Sequence, residues 1–367
     1  MENIIKPQGQ LYDPSPACGS HERKKPRHVW AWIYGIALTA FTAFTMLDVF
    51  VFPHDTIKVD QRAMAEVYRN ADASYSTAGD SSTAKSQGSM ETSGTGEENQ
   101  QETISGTQES KIGQDTSEPS ITTTENGYLY QDRDTTISLT KHFVYDTMVY
   151  VADIQISSVA SLRSGLAEDS FGRNVKEKTS EIAERAGAIL AVNGDYYGFR
   201  SSGYVIRNGI LYRSRASSED AQDLVVYQDG TMEVIREGDI TAEELLERGA
   251  LQVYSFGPGL VEDGEITVTA SSEVGHSMNS NPRTAIGYIS PLHYVMVVSD
   301  GRTSESAGLS LLQLAEILQE LGCTEAYNLD GGGSTTMYFN GEVINNPTTN
   351  GRKESERSVS DIVYIGN

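Results

Sequence analysis

The apolar segment from Val29 to Phe52 constrains the fold of this chain more than any other feature. It carries one charged side chain, Asp48, and it is long enough to cross a hydrocarbon core, which needs about 20 apolar residues. Its first residues are rich in tryptophan and tyrosine, as at a membrane interface. A cluster of basic residues lies just before it: Arg23, Lys24, Lys25 and Arg27. The positive-inside rule therefore predicts a cytoplasmic tail at 1–28, a transmembrane helix at 29–52 and an extracellular remainder.

A cleaved signal peptide is the alternative interpretation of this segment. The apolar run is longer than the usual signal core, and the following sequence "VFPHDT" lacks the small residues of a cleavage site. A single-pass cell-membrane protein is therefore favoured, with the lipid bilayer as a partner of residues 29–52.

The composition changes sharply beyond the apolar segment. From about Ala71 to Glu125 the chain consists mainly of Ser, Thr, Gly, Gln and Glu, with almost no aliphatic residues. Such a segment buries too little apolar surface to offset the entropy lost on ordering. Residues 53–125 are therefore predicted to form a disordered extracellular linker, with a short helix in 54–70. Residues 126–367 have the size of one folded domain.

Charge and cysteine content exclude two classes of protein. The formal net charge of −23 argues against nucleic acid as a partner, because nucleic acid selects for basic surfaces. Cys18 and Cys323 are the two cysteines of the chain, and they fall on opposite sides of the predicted span. We therefore expect neither a disulfide framework nor a cysteine metal site.

Turn and helix signals define the fold class. Four Asn-Gly or Asp-Gly pairs lie between β-type segments, at residues 208–209, 229–230, 263–264 and 340–341, and each predicts a hairpin. Helices are predicted in "VKEKTSEIAERAG", in "ITAEELLERG" and in "LSLLQLAEILQELG", where the last two start with a capping box. Strands joined mostly by hairpins indicate an α+β domain, with a largely antiparallel mixed sheet and a few flanking helices.

The stretch "NLDGGGSTTMYFNGEVINNP" places three glycines between two predicted strands. Successive glycines allow backbone N–H groups to converge on an anion, and Ser334 and Thr335 would add hydroxyl donors. A nucleotide-binding P-loop is disfavoured, since it would need a lysine and a helix after the glycines. The alternative is a corner required only for chain reversal, and the local pattern does not decide between the two.

Three other stretches place polar residues beside glycines at strand ends: "AVNGDYYGFRSSGYV", "NPRTAIGY" and "VVSDGRTSESAGLSL". They offer Asn193, Asp195, Arg283 and Asp300 as candidates, although ordinary turn chemistry explains each stretch taken alone. The planar guanidinium of Arg283 would suit a phosphate or carboxylate. A serine nucleophile in "GHSMN" is disfavoured because the final glycine is missing, and the histidines show no zinc spacing.

Taken in order, these motifs resemble the phosphodiester glycosidase family. The resemblance covers roughly 188–365 and includes "AVNGDYYG", "NPRTAIG", "VVSDGR", "NLDGGGS" and "ERSVSDIVYIG". It implies hydrolysis of a sugar-1-phosphodiester at the anomeric carbon, in a surface glycan or glycoconjugate. One departure is the sequence Asp195, Tyr196, Tyr197, where many relatives carry a glycine followed by phenylalanines.

The resemblance also implies roles for individual residues. Asp330 is the expected nucleophile or general base, with Asp300 or Asp195 as its partner. Asn193 and Asn328 would hydrogen-bond the sugar or fix the carboxylates. The departing phosphate would be held by Arg283 and by the backbone N–H groups of Gly331, Gly332 and Gly333, with the hydroxyls of Ser334 and Thr335 as further donors. No cofactor is required, and a divalent cation among the aspartates is compatible with the pattern.

Two other functions remain open from the sequence. The same residues would suit a non-catalytic module that binds anionic polysaccharide during exopolysaccharide assembly. An ordinary glycosidase or polysaccharide lyase, without any phosphate requirement, is the third interpretation.

Overall fold

The computed structural model describes residues 29–50, 54–82, 118–272 and 280–366. The predicted cytoplasmic tail, most of the predicted linker and the "GHSMN" motif lie outside the described residues. The apolar segment forms helix α1, Val29–Phe50. Residues Trp30–Asp48 within it are long and apolar enough to cross a membrane, as judged by length and composition. The prediction of an apolar N-terminal helix is therefore confirmed.

The rest of the described chain contains four further α-helices and twenty-one strands, besides short 3₁₀ turns and loops. The helices are α2 (Gln61–Ser82), α3 (Thr179–Ala186), α4 (Ala242–Glu247) and α5 (Leu311–Glu320). The first ten strands are β1 (His54–Lys58), β2 (Ser120–Thr124), β3 (Gly127–Gln131), β4 (Thr135–Val144), β5 (Thr147–Ile156), β6 (Leu162–Leu166), β7 (Ser170–Arg173), β8 (Leu190–Asn193), β9 (Val205–Arg207) and β10 (Ile210–Arg213). The others are β11 (Gln222–Tyr227), β12 (Met232–Arg236), β13 (Ala250–Tyr254), β14 (Gly259–Glu262), β15 (Glu265–Ile266), β16 (Arg283–Ser290), β17 (His293–Ser299), β18 (Glu325–Asn328), β19 (Met337–Phe339), β20 (Glu342–Val343) and β21 (Asp361–Ile365).

The strands form one large sheet, two smaller sheets and one separate pair. The nine-stranded sheet has the order β15-β14-β18-β16-β17-β5-β4-β3-β2. The five-stranded sheets are ordered β10-β9-β13-β11-β12 and β20-β19-β8-β21-β6, and β1 pairs with β7. Neighbouring strands in the described sheets run antiparallel, which confirms the α+β prediction with a largely antiparallel sheet. All four predicted hairpins are present.

The hydrophobic core lies between the sheets. One face of the nine-stranded sheet packs against α5, whose buried leucines include Leu311, Leu314 and Leu318. Its other face meets both five-stranded sheets, as the contacts of Ile286, Leu190 and Leu224 show. Helices α3 and α4 cover the outer faces of the smaller sheets. This layering fixes the ends of β8, β18 and β21, from which the candidate site is built.

Part of the segment predicted as linker is folded. Strand β1 pairs with β7, and α2 buries Tyr68 and Ala71 against the domain. The Tyr68 hydroxyl donates to Asn208 Oδ1 at 2.7 Å, in the turn between β9 and β10. The lower boundary predicted at residue 126 is therefore too late, since β1, α2 and β2 precede it. The sequence did not show this because α2 finds its apolar partners far away in the chain.

Candidate active site

A cavity of about 360 Å³ lies where three segments of the small β20-β19-β8-β21-β6 sheet meet. The segments are the loop after β8, the glycine corner before β19 and the residues leading into β21. The three segments lie close together because β8 pairs with both β19 and β21 in the sheet. We name this space the Asp330 cavity, and the side chains that matter in it are Lys176, Asp195, Tyr196, Phe199, Asp330 and Arg357.

Asp330 follows β18 and is nearly buried, with 8% of its surface exposed. Burial raises the pKa of its carboxyl above the ordinary range, while Arg357 and hydrogen bonds from Ser334 and the Gly331 backbone oppose the rise. The Arg357 guanidinium lies 3.3 Å from Oδ2 of Asp330. Main-chain bonds also fix the residue, because its N–H donates to the Gly194 carbonyl and its carbonyl accepts from Asn193 Nδ2 at 2.6 Å. Asp330 is therefore a positioned carboxylate that is more basic than an ordinary aspartate.

The glycine corner is a single 3₁₀ turn, Gly332–Ser334. Each glycine lies against a different neighbour: a Cβ added at Gly331 would be 2.8 Å from the Pro282 carbonyl oxygen. At Gly333 it would be 2.5 Å from Thr349 Oγ1, and Gly332 has a positive φ of 62°. The Gly332 N–H donates to the Pro282 carbonyl at 2.8 Å, so it is not available to an anion. Close packing and chain reversal thus account for much of the triple glycine.

The backbone of Arg283 lies beside this corner, with its Cα 3.8 Å from a Cβ added at Gly331. It is the first residue of β16, and its Nε donates to the Leu309 carbonyl at 2.9 Å, just before α5. The next residue, Thr284, points the opposite way and donates to Asn193 Oδ1 at 2.8 Å. The Arg283 side chain therefore lies on the α5 face of the sheet, away from the residues that line the Asp330 cavity. This corrects the role expected for Arg283 in holding a phosphate.

Arg357 is the arginine that the structure places at the corner instead. Its guanidinium bonds Ser334 Oγ, at 2.9 Å from Nε and 2.5 Å from Nη2, besides Asp330. Its side chain keeps 43% of its surface exposed, so its remaining donors face the open cavity. The motif "ERSVSDIVYIG" contained this residue, but no local pattern singled it out.

Asp195 lines the cavity but is fully engaged in a buried network. Its Oδ1 accepts from the Tyr197 N–H, and its Oδ2 accepts from the Ser255 N–H and from Arg207, each at 2.9 Å. The Arg207 Nε also bonds Asp361 Oδ2 at 2.8 Å, and none of the three charged side chains is exposed. Burial raises the pKa of Asp361, the Arg207 guanidinium opposes the rise, and the neighbouring Asp195 carboxylate adds to it. We name Asp195, Arg207 and Asp361 the buried triad.

Asp300 belongs to a different cavity. It directly follows β17 and accepts from the Tyr150 hydroxyl at 3.1 Å and from the Asn346 N–H at 2.8 Å. Together with Tyr150, Ser306 and Asn346 it lines a separate space of about 360 Å³, the Asp300 cavity. Burial raises the pKa of Asp300, and the Asn346 bond opposes the rise. The three predicted aspartates therefore do not converge, since only Asp195 and Asp330 share a cavity.

Asn193, Asn328 and Thr335, which were predicted as site residues, lie in the protein interior next to the cavity. Asn193 is fully buried and links β8 to the corner through Asp330 and the Thr336 N–H. Asn328 is buried and donates to the Gly257 carbonyl at 2.8 Å. The Thr335 side chain is also buried. None of the three side chains is among those lining the Asp330 cavity, so they position the loops rather than face a ligand.

An aromatic wall and a lysine complete the cavity. The rings of Tyr196 and Phe199 stack with centroids 4.6 Å apart, and the Lys176 ammonium lies 5.9 Å from the Phe199 ring. Both aromatic rings are half-buried, and Lys176 is exposed. In the sequence, Tyr196 stands out only as a departure from relatives, and no local pattern marks Lys176 or Phe199. Within the described ranges, no group of three or more His, Cys, Asp or Glu residues is arranged to hold a metal ion.

Taken together, the cavity has one basic carboxylate, two cations and an aromatic wall, as expected of a site for an anionic carbohydrate. Comparison with known proteins agrees with this class. Residues 186–366 match the family model described as phosphodiester glycosidase. This part of the chain therefore belongs to the phosphodiester glycosidase family, which confirms the resemblance drawn from its motifs.

Two individual relatives are similar to part of this chain. The SPbeta prophage-derived protein YomE of Bacillus subtilis (strain 168) is 32% identical over 206 residues, which cover 53% of this chain and 30% of that protein. The N-acetylglucosamine-1-phosphodiester alpha-N-acetylglucosaminidase of Mus musculus is 28% identical over 205 residues, covering 50% and 39%. The alignments thus span less than half the length of either relative.

A solved structure shows the same fold. The zebrafish N-acetylglucosamine-1-phosphodiester alpha-N-acetylglucosaminidase catalytic domain, described as auto-inhibited by its pro-peptide, superposes with a TM-score of 0.51. Sequence identity is 21%, and the match covers 64% of this chain and 83% of that one. At this identity the likeness concerns the fold alone.

Proposed function

We propose that this domain hydrolyses the bond between the anomeric carbon of a sugar and the phosphate of a phosphodiester. The observation that supports this best is the position of Asp330, a buried carboxylate of raised pKa in one cavity with Arg357 and Lys176. Asp330 would act on the anomeric carbon, as nucleophile or as base for water. Its negative charge would stabilise the oxocarbenium-like transition state.

Arg357 and Lys176 would stabilise the departing phosphate. A phosphomonoester is already a weak base, so the reaction needs charge stabilisation more than proton donation. Asp195 is unsuited to donate a proton, because its Oδ1 accepts from the Tyr197 N–H and its Oδ2 accepts from the Ser255 N–H and from Arg207. The cavity therefore fits a reaction with one catalytic carboxylate, that of Asp330, and two cations that bind the phosphate. The rings of Tyr196 and Phe199 would form the surface that contacts the sugar ring.

The location of the reaction is part of the same proposal. Helix α1 would anchor the chain in a cell membrane, because Trp30–Asp48 is long and apolar enough to span it. The basic residues that precede α1 would keep the N-terminus in the cytoplasm, which places the domain outside. Its substrate would then be a sugar-phosphate linkage of a surface glycan or glycoconjugate.

The proposal is tested with the full-length chain in detergent. A panel of glycosyl-1-phosphate methyl diesters is incubated with the protein, and free sugar is measured against the aryl glycosides of the same sugars. We expect sugar release from one of the diesters, at a rate roughly 100-fold or more above that of its aryl glycoside. Affinity without turnover would favour the polysaccharide-binding module, and equal rates would favour an ordinary glycosidase.

A further inference from the structure

Two buried carboxyl groups, those of Asp223 and Glu237, lie side by side in the β10-β9-β13-β11-β12 sheet and have no role in the proposed chemistry. Asp223 is in β11, and Glu237 directly follows β12. The strands are antiparallel, with Asp223 opposite Ile235 and with the Glu237 N–H bonded to the Ala221 carbonyl at 2.9 Å. Because residues two apart in a strand share a face, the two side chains point the same way, and their carboxyl groups come within hydrogen-bonding range.

The two carboxyl groups differ in the donors around them. Asp223 is fully buried, and neither of its oxygens accepts a hydrogen bond of regular geometry from the residues that the structure describes. The Glu237 carboxylate accepts four, from the N–H groups of Tyr204, Ser217 and Ser218 and from the Ser255 hydroxyl. An ionised carboxyl without donors is strongly unfavourable in a protein interior, whereas Glu237 has the donors that an anion needs.

The charged surroundings of Asp223 are mainly acidic. Burial raises the pKa of its carboxyl well above the ordinary range, and the carboxylates of Glu237 and Asp195 add to the rise. The phenols of Tyr204 and Tyr327 are also close enough for Asp223 to raise their pKa values. The other charged groups around these neighbours are Glu243 and Glu244 of α4, Arg207 beside Asp195 and Arg200 near Tyr327. Within the described residues, none of these cations bonds Asp223.

The Glu237 carboxylate holds an exposed segment of the chain, residues 214–221, which joins β10 to β11. This segment forms no helix or strand, and all but its last residue are exposed. The N–H groups of Ser217 and Ser218 both donate to Glu237 Oε2. The Tyr204 N–H, just before β9, donates to Oε1 of the same side chain at 3.0 Å. The position of one carboxylate therefore determines whether the segment stays attached to the sheet.

We infer that Asp223 and Glu237 share one proton and form a pH-sensitive switch that controls the 214–221 segment. With the proton on Asp223, its hydroxyl donates to Glu237, which keeps its four donors. Loss of the proton to solvent at alkaline pH leaves two negative charges in contact in the interior. The repulsion is relieved when Glu237 moves out and releases the segment. Opening therefore increases as pH rises, because the closed state binds one proton more than the open state.

Amide hydrogen exchange of the 214–221 segment tests this switch, measured by mass spectrometry on the full-length chain in detergent between pH 6 and pH 9. Protection is the exchange rate of an unstructured peptide at each pH divided by the measured rate, which removes the direct effect of hydroxide. We expect wild-type protection to fall about tenfold or more, since each pH unit above the pKa of Asp223 increases opening up to tenfold. Asp223→Asn should keep protection constant, because asparagine is neutral and can still donate to Glu237.

Asp220→Asn is the matched control, since Asp220 is an exposed aspartate in the same segment, and its protection should fall as in the wild type. Glu237→Gln removes the same repulsion and takes the place of Asp223→Asn if that variant does not fold. Its protection should be lower at pH 6 and independent of pH. Constant protection in the wild type, or an equal fall in the wild type and in the folded variant, would overturn the inference. The measurement uses no substrate, so its outcome is independent of the proposed function.

Discussion

Replacing Asp330 with asparagine is expected to lower kcat/KM for a sugar-1-phosphodiester by about 10²- to 10⁴-fold, the usual range for the loss of a catalytic base. Asparagine has the same shape and can still accept hydrogen bonds from Arg357 and Ser334. Only the negative charge and the basicity are removed. The measurement is the initial rate of sugar release, at substrate concentrations well below KM.

The stability of the Asp330→Asn variant shows whether a loss of activity comes from the missing carboxylate or from unfolding of the domain. The raised pKa of Asp330 means that its ionised form costs folding free energy at neutral pH, so asparagine should not lower the urea midpoint. Asp300→Asn is the matched control, because Asp300 is also a buried aspartate and lines a separate cavity. Its expected loss of activity is less than tenfold. A larger loss in Asp300→Asn than in Asp330→Asn would contradict the assignment.

Replacing Arg207 with methionine is expected to lower the free energy of unfolding by about 3–5 kcal/mol. Arg207 is fully buried, bonds both carboxylates of the buried triad and lies 4.3 Å from the centroid of the Tyr254 ring. Methionine fills a similar volume but leaves Asp195 and Asp361 buried without a cation. Urea denaturation at neutral pH measures the loss, and catalysis should fall with it because Asp195 anchors the wall of the Asp330 cavity.

A second measurement shows whether charge or packing causes that loss. Adding Asp195→Asn and Asp361→Asn to Arg207→Met removes the unpaired carboxylates and should recover most of the stability. The deficit of the single variant should also shrink as pH is lowered, because the unpaired carboxyls then become neutral. A deficit that is independent of pH and of the added substitutions would indicate a packing defect instead.

Local sequence patterns predicted the elements of this fold well. The turn at Asn208-Gly209 places both residues at positive φ, and the helix that follows Ser310 begins with the predicted capping box. These features depend on residues that are neighbours in the chain. The same holds for the apolar helix α1, whose length and composition are properties of one segment.

The candidate site was predicted less completely, because it depends on register. Arg283 and Thr284 are adjacent in β16 and point to opposite faces of the sheet, and the motif "NPRTAIG" does not say which face meets the glycine corner. Arg357 reaches Asp330 only because β21 pairs with β8, far away in the chain. The family resemblance offers Asp300 as a partner of Asp330, but the two residues line separate cavities.

The central claim is that attack occurs at the anomeric carbon of the sugar, with the phosphate as leaving group. Hydrolysis of a glycosyl-1-phosphate diester in water enriched in oxygen-18, followed by mass spectrometry of the phosphate product, tests it most directly. We expect a phosphomonoester without label, because the carbon–oxygen bond breaks and the phosphate keeps its own oxygens. Oxygen-18 in the phosphate would mean attack at phosphorus and would contradict this account.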